Sequence, residues 1–265
     1  MISDDSHPWI SVVIPMKDER ENITPLSRQL LTFLSRREET KTAPFEIIFV
    51  DDGSTDGSDR LFQDLVHEYS EIRVISFDRN YGQTAAFDAG FRHANGVWIV
   101  TLDGDLQYDP DDIGKLLPLA NQYDVVCGRR QRRNDNLIRR WSSRLANGVR
   151  NAVIHDGIQD TGCSLKVFKR SVLDRIPLFR GMHRFFPALA QMYGFSVTEI
   201  PVQHFPRVHG LSKYGVGNRL FTSLYDLFAV RWMQSRCLNY QIRDQQHVTN
   251  HVSSRILKNS LNENT

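Results

Sequence analysis

Five short apolar runs alternate with segments of helical periodicity along the first half of the chain. The runs are ISVVI (10–14), FEIIFV (45–50), IRVISF (72–77), VWIVTL (97–102) and YDVVCG (123–128). Their apolar residues are continuous rather than alternating with polar ones, which is typical of strands covered on both faces. The pattern therefore predicts an α/β fold with a mainly parallel sheet and right-handed crossover helices.

The segments between and after these runs predict the helices and the domain boundaries. Helices are predicted at Asn22 to Arg37, Ser58 to Tyr69, Thr84 to Ala94 and Asp111 to Asn121. The first and last open with Asn and Asp, which often cap helix N-termini. We expect residues 1–218 to form the main domain, 219–243 an amphipathic helix region, and 244–265 a disordered polar tail.

Length and composition indicate a folded protein. The chain has 265 residues, of which 40% are hydrophobic and 24% charged, enough for one large domain or for one domain plus an appendage. No apolar run approaches the roughly 20 residues that span a bilayer, and the N-terminal residues do not resemble a signal peptide. We therefore expect a cytoplasmic protein. The three cysteines lie far apart, which argues against a disulfide framework or a zinc site.

Polar residues follow three of the predicted strands: Pro15 and Glu19, the turn 51–54, and Asp103 with Asp105. Ligands of parallel α/β sheets bind beyond the carboxyl ends of the strands, where these residues should meet. Two carboxylates separated by one glycine can bind one hard cation and leave positions for phosphate oxygens. Taken alone, the D-x-D pattern also fits a solvated turn with a helix cap at Asp109 or Asp111.

Several longer motifs carry a resemblance to a known family. The segments VVIPMKDERENI, IIFVDDGSTDGS, RNYGQTAAFDAG and LDGDLQYDP resemble family 2 glycosyltransferases, which have the Rossmann-like GT-A fold. The later segments GRRQRR, LIRRWSSRLAN, DTGCSLKVFKR, GMHRFFPALA and PRVHGLSKY are similar to dolichyl-phosphate mannose synthases and bacterial polyprenyl-phosphate glycosyltransferases. The resemblance runs from about Ile10 to Asn218.

The resemblance implies a site for a nucleotide sugar and a metal. The residues implied around the base and ribose are Pro15, Glu19, Asp51 and Asp52. The residues implied to bind Mg²⁺ or Mn²⁺, which would bridge to the donor diphosphate, are Asp103, Asp105 and Gln107. In relatives, basic residues matching Arg207 and Lys213 close over that diphosphate. We interpret His204 and His209, which flank the same loop, as loop structure or weak phosphate contacts.

An arginine-rich segment indicates an anionic partner. Residues 129–150 contain eight arginines and one aspartate. From Leu137 the apolar residues follow helical spacing, which puts Arg139 and Ser143 one turn apart. Relatives seat the acceptor lipid's phosphate with residues matching Arg130, Arg139 and Ser143, and a solvated basic face is the alternative. Nucleic acid is not expected, because the segment has one aromatic residue and no RNA-binding signature.

The predicted reaction is a metal-dependent, inverting transfer of a hexose to a polyprenyl or dolichyl phosphate. The catalytic residues would be Asp103, Asp105 and Arg130, and Asp160 would have a structural or acceptor-side role. Because a phosphate monoester is already anionic, it needs no strong general base. Mannose from GDP-mannose is the first choice of donor. The alternatives are a UDP-sugar, either glucose or an aminosugar, or a non-catalytic protein that binds nucleotide sugars or anionic lipids.

The predicted helix near Leu220 to Met233 indicates how the protein reaches a lipid. Its polar face consists of Arg219, Thr222, Ser223 and Asp226, and the opposite face includes Phe221, Leu224 and Phe228. Such a helix can lie in the membrane interface, or it can pack on the domain or on a second subunit. The first alternative predicts a peripheral protein on the cytoplasmic face of the membrane.

Overall fold

The computed structural model describes residues 8–131, 148–207 and 216–238, and for residues 216–223 only the helical backbone. Its centre is a seven-stranded sheet of order β3-β2-β1-β4-β6-β5-β7. The strands are β1 (Ile10–Met16), β2 (Phe45–Asp51), β3 (Ile72–Ser76), β4 (Trp98–Thr101), β5 (Val125–Arg130), β6 (Lys166–Lys169) and β7 (Val197–Val202). The first five are the strands predicted from the apolar runs, and the mainly parallel α/β fold is confirmed.

One strand of the described sheet runs against the others. β6 pairs antiparallel with both β4 and β5, so that Val167 lies opposite Val100 on one side and Val126 on the other. The pattern of the chain did not predict β6, because the strand has only four residues and a lysine at each end. It nevertheless lies inside the sheet, and its insertion brings residues 160–166 next to the end of β4.

The helices cover both faces of the sheet. They are α1 (Arg20–Ser35), α2 (Glu38–Thr42), α3 (Ser58–Glu68), α4 (Gln83–His93), α5 (Ile113–Ala120), α6 (148–154), α7 (Arg170–Leu173), α8 (Phe186–Met192) and α9 (Val216–Arg236). Short 3₁₀ turns lie at Pro110–Asp112 and Met182–Arg184. The four helices predicted between the strands are confirmed as α1, α3, α4 and α5.

The predicted helix caps are only partly correct. Asn22 lies buried inside α1 rather than at its N-terminus, and its side chain donates to Glu19 Oε2 over 2.6 Å. At the other site Asp109, not Asp111, is the capping residue, because its carboxylate accepts from the Asp111 backbone N–H at 3.0 Å. The helix starts therefore lie within three residues of the predicted ones.

Two hydrophobic cores lie on opposite faces of the sheet. One contains Val12 and Ile14 of β1 with the inward faces of α1, α3 and α5. The other contains Val13 of β1 with α4, α8 and α9, including Leu227 and Val230 of α9. Successive β1 residues point to opposite faces, and both are apolar because helices cover both. Burial on both sides holds the carboxyl ends of β1, β2 and β4 in fixed positions at one edge.

The last helix packs on the domain with one side only. Asp226, Leu227 and Val230 are buried, whereas Tyr225, Phe228 and Trp232 are 78%, 64% and 65% exposed. Asp226 lies opposite Phe228, as the sequence pattern predicts, but it faces the protein body instead of solvent. None of the helices in the part of the chain that the structure describes combines the length and the hydropathy that a bilayer span requires.

Candidate active site

A polar cavity of about 290 Å³ lies at the carboxyl ends of β1, β2, β4 and β5. Most residues predicted to bind the donor, the acceptor phosphate or a metal line it together: Pro15, Glu19, Asp52, Asp103, Asp105, Gln107, Arg130 and Arg207. Lys17, Gln83 and Gly162 also line it and were not predicted. Lys213, Arg139 and Ser143 lie outside the described residues. We call this space the outer cavity.

The loop after β4 holds its two carboxylates in place through the glycine between them. A Cβ atom on Gly104 would press against the Met16 sulfur, so a larger residue here would require the Met16 side chain to shift. Leu106, directly after Asp105, has a positive φ of 59°, which turns the chain sharply back. The glycine thus lets the loop pack closely on β1, and both acidic residues line the outer cavity.

Asp103 is anchored by hydrogen bonds from two segments. Its Oδ1 accepts from Gln83 Nε2 at 2.8 Å, and its backbone N–H donates to Ser164 Oγ at 3.1 Å. Burial, together with the neighbouring charge of Asp105, raises the pKa of Asp103 to about 6. In this environment a positive charge beside the carboxylate would stabilise its ionised form.

Asp105 is paired with a basic residue from a distant segment. Its Oδ2 accepts from Arg207 Nη2 at 2.9 Å, and its Oδ1 accepts from the Gln107 backbone N–H at 3.3 Å. The Gln107 side-chain amide donates to the Phe205 carbonyl at 3.1 Å. The segment 205–207 is thereby fastened to the loop after β4, with Arg207 beside the two carboxylates.

The donor atoms of this loop fit a hard divalent cation. Asp103 and Asp105 offer carboxylate oxygens and Gln107 a carbonyl oxygen, the ligand types that Mg²⁺ and Mn²⁺ prefer. Nowhere in the described chain do three or more His, Cys, Asp or Glu residues form a possible metal cluster. Three protein ligands from this loop would fill only part of the coordination sphere of Mg²⁺, leaving positions for phosphate oxygens.

The two acidic residues of the turn after β2 were both predicted to bind the nucleotide, but they occupy different positions. Asp51 is buried, does not line the outer cavity, and accepts from the Ser54 backbone N–H at 2.9 Å. Asp52 does line the cavity and accepts from the backbone N–H groups of Tyr81 and Gly82 at 2.6 and 2.9 Å. Burial raises the pKa of Asp52. In this structure Asp51 stabilises the turn, and Asp52 is the one at the cavity surface.

Arg130 lines the outer cavity and is held in place by Asp160. Its Nε and Nη2 donate to the two carboxylate oxygens of Asp160 at 2.7 Å each, and its backbone N–H donates to the same group. Glu199 of β7 in turn accepts from the backbone N–H groups of Gln159 and Asp160. Burial disfavours the charged guanidinium, but the hydrogen bonds and charge of Asp160 outweigh it and raise the pKa of Arg130.

The arginines at the two ends of the basic segment are engaged within the protein. Arg129 donates to Gln159 Oε1 at 2.6 Å. Arg150 of α6 is buried, lies 3.5 Å from Asp156 and donates to the Ile158 carbonyl. Arg150 thus has a structural role rather than a place in a basic groove.

The interpretation of His204 as loop structure is also supported, because its ring packs edge-on against Tyr108 with centroids 5.2 Å apart.

A second cavity, of about 220 Å³, adjoins the outer cavity. The two share Gln83, Asp103 and Gly162, and the second also contains Lys166, His183 and Arg184. We call it the inner cavity. Sequence reasoning did not assign it a function, since its residues come from β6, α4 and the turn 182–184, which only the folded chain brings together.

The fold and the outer cavity define an α/β protein whose carboxylate pair and basic residues suit a metal-bound diphosphate. A family model described as glycosyl transferase family 2 matches residues 11–177, and the chain belongs to this family.

Two named relatives show which transferases this chain resembles. The undecaprenyl-phosphate 4-deoxy-4-formamido-L-arabinose transferase of Edwardsiella ictaluri is 36% identical over 221 residues, covering 83% of this chain and 66% of the relative. The enzyme of the same name from Pseudomonas fluorescens is 38% identical over 220 residues, covering 82% and 63%. The chain thus spans slightly less than two thirds of these relatives.

Solved structures share the fold at low sequence identity. Glucosyl-3-phosphoglycerate synthase from Mycobacterium tuberculosis, solved with Mn²⁺, UDP and phosphoglyceric acid, has a TM-score of 0.63 at 15% identity, covering 92% of this chain and 84% of that one. The mannosyltransferase PcManGT from Pyrobaculum calidifontis, solved with GDP-Man and Mn²⁺, has a TM-score of 0.60 at 18% identity, covering 90% and 67%. The predicted GT-A fold is confirmed.

Proposed function

We propose that this protein transfers a sugar from a nucleotide sugar to a polyprenyl phosphate with inversion at the anomeric carbon. The observation that carries the proposal is the outer cavity, where a carboxylate pair and two arginines from distant segments face one space of about 290 Å³. Two phosphate groups must meet in this reaction, one on the donor and one on the acceptor. Arg207 and Arg130 supply one basic residue for each.

The donor occupies the side of the outer cavity formed by β1, β2 and β4. Pro15, Glu19 and Asp52 line this side and suit the base and ribose, because carboxylates accept hydrogen bonds from ring N–H groups and sugar hydroxyls. Lys17, which bonds the Gly53 carbonyl at 2.6 Å, fixes the turn beside them. Asp51 supports the same turn from beneath and has only an indirect role in donor binding.

The diphosphate lies over Asp103 and Asp105. Asp103, Asp105 and Gln107 would hold Mg²⁺ or Mn²⁺, which when bound neutralises the charge that develops on the leaving nucleoside diphosphate. Arg207 is already at this position through its 2.9 Å bond to Asp105. Its guanidinium then exchanges the carboxylate for diphosphate oxygens, and Lys213 closes from the same loop.

The acceptor phosphate enters on the side of Arg130. Asp160 occupies two of the five N–H donors of that guanidinium and fixes its plane, which leaves donors for a phosphate in a defined direction. Arg139 and Ser143 complete this site in the proposal. The acceptor oxygen is anionic at neutral pH and attacks the sugar without a strong general base.

The donor sugar is the least constrained part of the proposal. GDP-mannose stays a prediction, supported by the similarity of the motifs to dolichyl-phosphate mannose synthases. The relatives that transfer a formamido-arabinose to undecaprenyl phosphate support the alternative, an aminosugar donor, more strongly at 36–38% identity. We therefore propose an amino-substituted sugar, with undecaprenyl phosphate or a similar polyprenyl phosphate as the acceptor.

The exposed side of α9 is the proposed membrane contact. Tyr225, Phe228 and Trp232 follow helical spacing and are each more than half exposed, and Arg231 and Arg236 lie beside them. Aromatic rings and basic residues together favour the headgroup region of an anionic bilayer. Binding there brings the active site within reach of a lipid-linked phosphate, and the cytoplasmic face stays part of the proposal.

A transfer assay tests the proposal. The protein is incubated with undecaprenyl phosphate, Mn²⁺ and, in turn, GDP-mannose, UDP-glucose and UDP-N-acetylglucosamine, and lipid-linked sugar is detected by mass spectrometry. We expect a product whose anomeric configuration is opposite to that of the donor. Absence of lipid-linked product with every donor, or retention of configuration, would contradict the proposed reaction.

A further inference from the structure

Ser164, two residues before β6, holds the loop after β4 at three points. Its hydroxyl oxygen accepts from the Asp103 backbone N–H at 3.1 Å, and its carbonyl accepts from Thr101 Oγ1 at 2.6 Å. Its own backbone N–H donates to Tyr108 Oη at 3.4 Å. Thr101 ends β4 and Tyr108 follows the loop. This one residue therefore contacts the loop where it begins, at its first carboxylate residue and where it ends.

Gly162, two residues earlier, lies against the arginine of the acceptor side. A Cβ atom at this position would lie 2.8 Å from Arg130 Nη2, the same nitrogen that donates to Asp160. The guanidinium is not free to move away, because both oxygens of Asp160 bind it at 2.7 Å. Gly162 does not have a positive φ, so an added Cβ would act by contact and not by backbone strain. The missing side chain thus leaves the space that Arg130 occupies at the outer cavity.

The segment 160–164 is anchored between these two contacts. Cys163 is fully buried, and its backbone N–H donates to the Asp160 carbonyl at 3.3 Å, which closes a turn. Leu165, directly after the segment, is buried in the core below α1 and α5. One short turn with a buried anchor therefore joins Arg130 at one end to Asp103 at the other.

We propose that Ser164 and Gly162 are positioning residues for the transfer: Ser164 holds Asp103 at the cation site, and Gly162 leaves room for Arg130 at the acceptor phosphate. The turn between them sets the direction from which the acceptor meets the donor. Displacement at a sugar carbon needs the attacking and leaving oxygens in line, and a misplacement of about 1 Å can slow a reaction about a hundredfold. The inference rests on the proposed function and adds two residues that act through Asp103 and Arg130.

Nucleotide affinity with and without metal tests the role of Ser164. Calorimetry measures the binding of UDP and of GDP in Mn²⁺ and in EDTA, and the ratio of the two affinities is the metal-dependent gain. Ser164→Ala should reduce this gain about threefold to tenfold, the effect of one lost hydrogen bond, and leave KM for a short-chain polyprenyl phosphate nearly unchanged. Thr101→Val removes the bond to the Ser164 carbonyl but keeps the serine hydroxyl. It should act in the same direction, and it preserves the test if Ser164→Ala does not fold.

The matched control is Ser196→Ala. The Ser196 hydroxyl accepts from the Asp124 backbone N–H at 3.0 Å, as the Ser164 hydroxyl does from that of Asp103, but this pair lines neither cavity. We expect Ser196→Ala to lower the melting temperature and to retain the full metal-dependent gain. A purely structural role for Ser164 would give the same result in Ser164→Ala.

KM for the lipid tests the role of Gly162. Gly162→Ala should raise KM for the short-chain polyprenyl phosphate about tenfold, because Arg130 is displaced, and leave the metal-dependent gain intact. Gly114→Ala of α5, where the added Cβ meets only side-chain atoms at 3.3 Å or farther, should change neither quantity. A full gain in both Ser164→Ala and Thr101→Val, or an unchanged KM in Gly162→Ala, would overturn the inference. Wild-type protein that binds neither nucleotide in Mn²⁺ would instead refute the proposed function.

Discussion

The ion pair between Arg130 and Asp160 makes the acceptor side of the site testable apart from the donor side. Asp160→Asn keeps the size of the side chain but replaces one acceptor oxygen with an N–H donor. Two hydrogen bonds of 2.7 Å join these residues, whose side chains are only 14% and 9% exposed. The substitution therefore leaves a nearly buried guanidinium with one poor contact.

The cost follows from this burial. Removing one partner of a buried ion pair costs about 3–5 kcal/mol, and we expect about 3 kcal/mol because Arg130 borders an open cavity and the amide retains one acceptor. For a domain of this size that corresponds to a melting temperature lower by roughly 6–12 °C. Because Arg130 is no longer fixed, transfer efficiency should also fall by about tenfold or more, through KM for the lipid.

Three measurements check the prediction: thermal unfolding, KM for a short-chain polyprenyl phosphate, and nucleotide affinity by calorimetry. The control is Asp88→Asn, which breaks the exposed pair with Arg92 and should leave the melting temperature nearly unchanged. Nucleotide affinity should be nearly unchanged in both variants. A melting temperature for Asp160→Asn equal to that of the control, or a loss confined to nucleotide affinity, would refute the reasoning.

Three further predictions concern the donor, the division of phosphates and the membrane. The folded-state pKa of Asp103 is raised to about 6, so ionisation of this carboxyl opposes folding; the cost is absent below the unfolded pKa and appears as pH rises through 6. Metal-dependent nucleotide binding should strengthen over the same pH interval. Nucleotide affinity that stays constant from pH 5 to 7 would contradict this. Arg207→Ala should weaken nucleotide diphosphate binding by about tenfold or more, whereas Arg139→Ala should reduce lipid transfer and leave calorimetric nucleotide affinity intact; equal losses of affinity would assign both arginines to the donor. Phe228→Ser with Trp232→Ser should release the protein from anionic vesicles in sedimentation without changing nucleotide affinity, and undiminished vesicle binding would argue for another membrane contact.

The first half of the fold was predictable because each of its strands lies in a continuous apolar run. Runs such as VWIVTL are apolar on both faces, and local sequence suffices to identify them. β6 and β7 escaped prediction for the opposite reason. β6 is short and bounded by Lys166 and Lys169, and β7 is an edge strand whose residues are mostly half-buried, so neither has a continuous apolar run.

The site was predictable where a motif carries its own geometry. The Asp103–Asp105 spacing and the basic residue Arg207 were identified from sequence, and the structure brings them together. The clamp of Asp160 on Arg130 and the inner-cavity residue His183 could not be derived in the same way. Asp160 lies 30 positions from Arg130, and His183 lies 99 positions from its partner Thr84, so only tertiary packing creates these contacts.

The most direct test of the central claim compares wild-type protein with Asp105→Asn in transfer of sugar to undecaprenyl phosphate. The substitution removes one carboxylate charge from the proposed cation site and also the partner of Arg207. We expect wild-type transfer that stops on chelation of divalent cations and returns with Mn²⁺. We expect the variant to be at least about a hundredfold slower, because the site then stabilises the leaving diphosphate less by several kcal/mol. Near-normal, metal-dependent transfer by a folded Asp105→Asn protein would contradict the account.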